Sequence, residues 1–153
     1  MEKKHFFVLF ISTLLFLTAF FLLQKKQTSF NQQKVTIRNH PFMVEIADTD
    51  GLRTKGLSGR KDLSPNAGML FLFPQKGIYS FWMKDMRFPL DFIWIANHQV
   101  VGLNSGVLPP SQTGNVPTVI NPVNYADQVL EVNAGFISQY HIQVQDPVML
   151  NFN

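Results

Sequence analysis

The chain of 153 residues contains no cysteine. This excludes disulfides, thiolate nucleophiles and cysteine-type zinc sites, and it excludes a lipoprotein anchor, which is built on a cysteine. It assigns no compartment, because an exported domain need not carry disulfides. A glycine-rich phosphate loop is missing too. His40, His98 and His141 are widely separated, and no H-x-x-x-H pair is present, so no metal site is expected. Gly56-Leu57-Ser58-Gly59-Arg60 resembles a nucleophile elbow but lacks the final glycine of G-x-S-x-G and precedes no apolar helix. No internal repeat is found, and the length suits one domain with an appendage. No cofactor is expected.

What is present begins with a long apolar run. Residues 6–23 read "FFVLFISTLLFLTAFFLL", 18 residues without charge or proline. As a helix they span about 27 Å, at roughly 1.5 Å per residue, close to a hydrocarbon core of about 30 Å. Three readings compete: an uncleaved signal anchor, a cleaved signal peptide and a buried helix. The run exceeds the usual length of a signal-peptide core, and the small residues near its end, Thr18 and Ala19, are followed by phenylalanines. The reading adopted is a signal anchor over residues 1–24. Lysines flank both ends, yet the very short tail with Lys3 and Lys4 favours an inside N-terminus. The expected location is therefore the cell membrane, with one pass and the soluble domain outside the cytoplasm. Residues 25–34 are polar and read as a linker, and residues 35–153 as a single folded domain.

The basic pI of 9.3 belongs to the membrane flanks. Residues 1–34 carry Lys3, Lys4, Lys25, Lys26 and Lys34 against Glu2, a net of +4, whereas the remainder is −1. A nucleic-acid partner is not expected.

The domain reads as short strands. Residues 42–47 alternate, with Phe42, Val44 and Ile46 on one face. Residues 68–73 form a continuous apolar run stopped by Pro74, as in a strand buried on both faces. Residues 79–83, 90–96, 100–103, 127–133 and 147–152 follow, punctuated by Gly77, Pro89 and Asn97-His98. Two short helices are expected, one capped by Thr49 or Asp50, the other over residues 134–140. Residues 107–125 carry four prolines and no strong period, long enough for a functional loop. The fold class is mainly β, a compact sandwich or distorted barrel with two short helices, preceded by one transmembrane helix.

The stretches "FMVEIADTDGLRTKGLSGRKDLSPNAGMLFLFP", "SFWMKDMRFPLDFIWI" and "YADQVLEVNAGF" resemble the family called domain of unknown function 192, small prokaryotic proteins often with an N-terminal export or anchor segment. The matching positions are Gly56, Leu57, Gly59 and Arg60; Gly68 and Met69; Phe81, Trp82, Met83 and Lys84; Pro89, Leu90 and Asp91; and Ala134 and Gly135. The resemblance implies a compact, mainly-β domain and no established activity. It also marks departures. Asp85 stands where members often have Asn, and His141 and Gln145 replace glycines. The long loop lacks the cysteines or extra acidic residues of many members.

Arg60, Lys84, Asp85, Arg87 and Asp91 form the one dense polar set among apolar strands. Asp91 shares a strand face with Ile93 and Ile95, while Leu90, Phe92 and Trp94 take the other. With both faces apolar the carboxyl must find donors: Arg60 as a fork, Lys84 as a point charge, or turn amides. The expectation is a pair with Arg60 or Lys84. Trp82, Phe81 and Trp94 are core residues or a stacking platform for a sugar. Glu45 and Glu131 both lie in alternating strands, but nothing in the sequence sets the separation that a glycosidase pair needs. No catalytic residue is assigned. Arg60, Trp82, Lys84 and Asp91 are the ligand-binding candidates. The expected function is a membrane-tethered binding or accessory module for an envelope polymer, small ligand or protein partner. The alternative is a small hydrolase-like enzyme using Asp91 with Lys84 or Arg60.

Overall fold

The computed structural model describes residues 31–151. The expected membrane segment, residues 6–23, lies outside the described residues. Among the described residues no helix is long and apolar enough to cross a membrane.

The elements are β1 (Gln32–Ile37), β2 (His40–Ala47), α1 (Asp50–Lys55), β3 (Ala67–Gly77), β4 (Phe81–Trp82), β5 (Leu90–Ala96), β6 (Gln99–Val107), a 3-10 turn (Pro110–Gln112), β7 (Val119–Ile120), β8 (Ala126–Asn133), α2 (Phe136–Gln139) and β9 (Val148–Asn151). Seven strands form one sheet in the order β6-β5-β8-β3-β2-β1-β9, and β4 and β7 form a separate ribbon. Only the β2–β3 pair is parallel. The two edges of the large sheet meet at one end. Val100 N donates to Asp146 O at 3.0 Å, Gln145 N to Val100 O at 2.8 Å, and Val148 N to His98 O at 2.8 Å. These bonds curl the sheet into a half-barrel, so the fold is mainly β with two short helices, one sheet rolled on itself.

Local chemistry explains the turns. Arg38 and Asn39 join β1 to β2 with φ of 48° and 67°, and Asn97 and His98 join β5 to β6 with 52° and 59°. Two successive positive φ values give the tight hairpin whose twist matches the strands. Thr49 caps α1, accepting from Leu52 N at 3.3 Å. Asp85, His141 and Gln145, the departures noted above, all have positive φ, at 58°, 52° and 78°. Their backbone keeps the left-handed conformation that Asn or Gly adopts more readily.

Two boundaries differ from expectation. β1 begins at Gln32, inside the polar stretch that reads as linker, because Gln32, Gln33 and Lys34 pair with Glu45, Val44 and Met43. Pro74 does not stop β3, which continues to Gly77. The β3–β8 ladder shifts register between Leu72 and Gly77, so a residue without an N–H breaks no bond there.

Strand alternation sorts the core into two clusters. Val35, Val44, Leu70, Ile93, Ile95, Leu130, Val132 and Phe136 fill the enclosed concave side. Leu57, Met69, Phe71, Met83, Leu90, Phe92, Trp94 and Val129 fill the outer side, with Leu52, Leu63 and Phe81 packed against them. Gly68 permits the close approach of β3 to β8: a Cβ there would lie 2.9 Å from Glu131 O and 3.1 Å from both Leu130 Cδ1 and Val132 Cγ1. Gly68→Ala should therefore destabilise the protein by about 1–3 kcal/mol, the usual cost of overpacking. Denaturant unfolding checks this, and an unchanged midpoint would mean that the two strands yield freely.

Candidate functional site

The segment with both tryptophans folds as a short strand, a tight turn and a long buried strand. Met86 N donates to Met83 O at 3.2 Å, closing a turn over Lys84 and Asp85. The G-L-x-G-R turn clips onto this loop: Ser58 Oγ donates to Lys84 O at 3.1 Å and Gly59 N to Asp85 O at 3.0 Å. Phe81 points inward, edge-on to Phe71 at 4.9 Å and to Trp94 at 5.5 Å. Trp82 points outward and is 56% exposed, with Lys84 Nζ 5.3 Å from its ring centroid. Trp94 is core; its Nε1 donates to Asn104 Oδ1 at 2.7 Å.

Asp91 is fully buried, on the face expected for it, but its partners are not cations. Gly106 N donates to Oδ1 at 2.7 Å and Ile137 N donates to Oδ2 at 2.9 Å. The carboxyl clasps the far end of β6 and the start of α2 onto β5. This corrects the expected pairing with Arg60 or Lys84, and the reason lies in strand parity. In register, Asp91 lies beside Val132, whereas its neighbour Phe92 lies beside Glu131. Glu131 is beside Met69, and Met69 beside Glu45. Cross-strand neighbours share a face, so Glu45 and Glu131 stand on the outer face with Phe92, and Asp91 on the inner one. Arg60 belongs to the outer row. Its two terminal nitrogens donate to the two Glu45 carboxylate oxygens, both at 2.6 Å. These bonds hold the guanidinium pKa above its ordinary value, against the opposing effect of burial. A hydrolase-like site built on Asp91 with Arg60 or Lys84 thus lacks its geometry.

Glu131 is the residue that the sequence reading undervalued. It is 5% exposed, and no described residue hydrogen-bonds its carboxyl. Burial pushes its pKa up to about 8, against the lowering pull of Arg60. The alternation of β8 marked Glu131 as a strand residue, but only the covering of this face by α1 and the 78–90 loop desolvates it.

Above Glu131 lies a cleft of about 430 Å³. Phe71, Phe73, Tyr79, Phe81 and Trp82 form one side, and α1 with the following turn, through Asp50, Arg53, Thr54, Lys55 and Ser58, forms the other. Tyr79 stacks on Phe73 at 3.6 Å and donates its hydroxyl to Gln75 O at 2.6 Å. Arg53 is held by Asp48 O, Leu72 O and Asp50 Oδ1 at 2.6, 2.7 and 2.5 Å, with its guanidinium carbon 5.4 Å from the Phe73 centroid. Beyond Trp82 a shallower groove continues past Lys84 and Asp85. Of the four candidates, Trp82 lines the cleft, Lys84 lines the adjoining groove, Arg60 is bonded to Glu45 of the outer row, and Asp91 lies on the other side of the sheet. Among the described residues no group of three or more His, Asp or Glu could hold a metal ion.

A half-barrel carrying this combination of turns defines a class. The family profile of domain of unknown function 192, described as "Uncharacterized ACR", matches residues 33–150, and the chain belongs to that family. Two solved structures are similar. One is a proposed transcription regulator from Sinorhizobium meliloti 1021, with TM-score 0.73 and 26% identity over 80% of this chain and 95% of that one. The other is a protein of unknown function from Novosphingobium aromaticivorans DSM 12444, with TM-score 0.67 and 26% identity over 78% and 84%. No curated protein matches the sequence.

Two outcomes test the site's electrostatics. Asp91→Ala orphans two buried amides and should cost about 1–3 kcal/mol for each, with Asp91→Asn intermediate. Combining Asp91→Ala with Arg60→Met should be additive in denaturant unfolding, because the two side chains share no partner. A coupling well above about 0.5 kcal/mol would reinstate the ion pair. Glu131 gives the second test. Its ordinary carboxyl value is 4.5 and its folded value about 8. Between these, the folded protein keeps a proton that the unfolded chain has lost, so stability falls as pH rises. The limit is about 1.4 kcal/mol per unit. Glu131→Gln should flatten that slope in melts taken between pH 5 and 8; an identical slope would show that Glu131 is not its source.

Proposed function

We propose that this protein is a membrane-tethered binding module, with the aromatic cleft as its binding surface. The observation that carries the reading is the exposed indole of Trp82 at the mouth of a cleft whose floor is a desolvated carboxyl. Concave, mainly apolar surfaces with a few convergent polar groups are the usual form of small-ligand sites. An exposed tryptophan face suits the flat side of a ring or sugar. The apolar run over residues 6–23 supports a single-pass anchor, and the lysines before it support a domain outside the cytoplasm. The ligand is then an envelope component, either a small molecule or an accessible unit of a polymer or protein. The Sinorhizobium protein's description would suggest a DNA partner. In this chain the net charge of −1 beyond residue 34 argues against one.

Two measurements bear on this. After carbonate washing, the protein should remain in the membrane fraction with residues 6–23 present at its N-terminus; a soluble product that starts beyond residue 23 removes the tether. Thermal-shift screening of the detergent-solubilised full chain against envelope saccharides, amines and peptides should give hits that Trp82→Ala loses. Asp91→Asn, altered on the other face, should keep them. Hits of equal strength in Trp82→Ala would place binding elsewhere.

A further inference from the structure

We propose that the cleft binds a small organic cation, an amine or quaternary ammonium group seated between the aromatic wall and the Glu131 carboxyl. This rests on the reading of the cleft as a ligand site and names the ligand's chemistry.

Three observations lead to it. The first is the state of Glu131. A carboxyl that is 5% exposed, lines the cleft and accepts no hydrogen bond from any described residue is stabilised by a proton or by a cation brought beside it. In the free protein it is held protonated at neutral pH by burial. The second concerns the nearest cation. Arg60 directs two donors at the two oxygens of Glu45, both at 2.6 Å, so its charge is already matched by one carboxylate. It lowers the Glu131 pKa without overcoming burial. The third is the wall. Ring faces attract cations through their quadrupole, and two rings of this cleft already carry one each from the protein itself. Arg53 lies 5.4 Å from the Phe73 centroid and Lys84 lies 5.3 Å from that of Trp82.

The charged and titratable groups around Glu131 among the described residues are few. Glu45 and Arg60 neutralise one another from β2 and from the turn after α1, and Asp50 and Arg53 do so on α1. Tyr79 donates its hydroxyl to Gln75 O. Lys55 is the remaining charge of the lining, and its ammonium stands beside Gly59. Among the described residues an entering cation therefore meets two uncompensated charges, Lys55 of the lining and Lys84 beside the Trp82 ring, and Glu131 as the carboxyl of the lining with no cation bonded to it. Charge balance follows: the ligand cation enters, the Glu131 proton leaves to solvent, and an ion pair remains in the cleft. Well below pH 8 close to one proton is released per ligand. Affinity then rises about tenfold per pH unit until Glu131 ionises unaided, and is flat above that.

The test uses the full chain in detergent with choline and its uncharged carbon isostere, dimethylbutanol. Trp82 fluorescence reads occupancy, while Trp94, buried in the core, acts as the constant background. Calorimetry in two buffers of different ionisation enthalpy counts protons. Choline should bind at least tenfold more tightly than dimethylbutanol, with about one proton released at pH 7. Glu131→Gln should abolish that preference and the pH slope while leaving dimethylbutanol binding in place. Lys55→Met should tighten choline severalfold. Equal binding of the two probes, absence of choline binding, or weaker choline binding in Lys55→Met overturns the cation proposal. The cleft reading itself stands or falls separately, on whether Trp82→Ala loses the hits of the wider screen.

Discussion

Both faces of the seven-stranded sheet are apolar, and one curled sheet can enclose only one of them. The concave side closes on itself where the edges β6 and β9 meet, and Phe136 and Ile142 complete it. Among the described residues the convex side has no second large sheet to lie against. It is covered by α1, the 78–90 segment and the β4–β7 ribbon, short pieces held to one another by a few hydrogen bonds such as Ser58 Oγ to Lys84 O and Gly59 N to Asp85 O. Coverage of that kind leaves gaps between pieces, and the cleft above Glu131 is one of them. The proposed site follows from how this fold buries its second face.

The outer row Glu45, Met69, Glu131, Phe92 sets the electrostatics. One guanidinium serves two carboxyls a strand apart, and its planar fork matches a single carboxylate bidentately. Glu45, which retains solvent contact, takes the fork; Glu131, nearly sealed, takes the proton. This division follows general desolvation physics, since a buried charge without donors is costlier than a neutral acid. It leaves the cleft floor neutral and able to acquire charge when a partner supplies the opposite sign.

Asp91 solves a different problem with the same functional group. Its two oxygens accept from backbone amides of Gly106 and Ile137, which belong to β6 and α2 and are 31 residues apart in sequence. The carboxyl thus fixes the end of β6 and the approach of α2, and it closes the concave core. The aspartate of the P-L-D motif is a structural clasp on the side of the sheet away from the cleft.

The sequence by itself determined the strand faces. Alternation placed Ile93 and Ile95 with Asp91, and Leu90, Phe92 and Trp94 opposite, because successive side chains of a strand point to opposite sides whatever else happens. It also narrowed the cap of α1 to Thr49 or Asp50 and marked Asn97-His98 as a turn, since these depend on residues next to one another in the chain. Family membership was legible from the spacing of the G-L-x-G-R, F-W-M-K and P-L-D motifs. Tertiary structure alone decided the rest. Whether Arg60 met Asp91 or Glu45 depended on the register of β2, β3, β8 and β5, which one residue of slip would have reversed. Whether Glu131 faced water or an aromatic cleft depended on where α1 and the 78–90 loop, separate in sequence from β8, came to rest. Pairing and desolvation are properties of neighbours in space, and these neighbours lie in segments that only the folded sheet brings together.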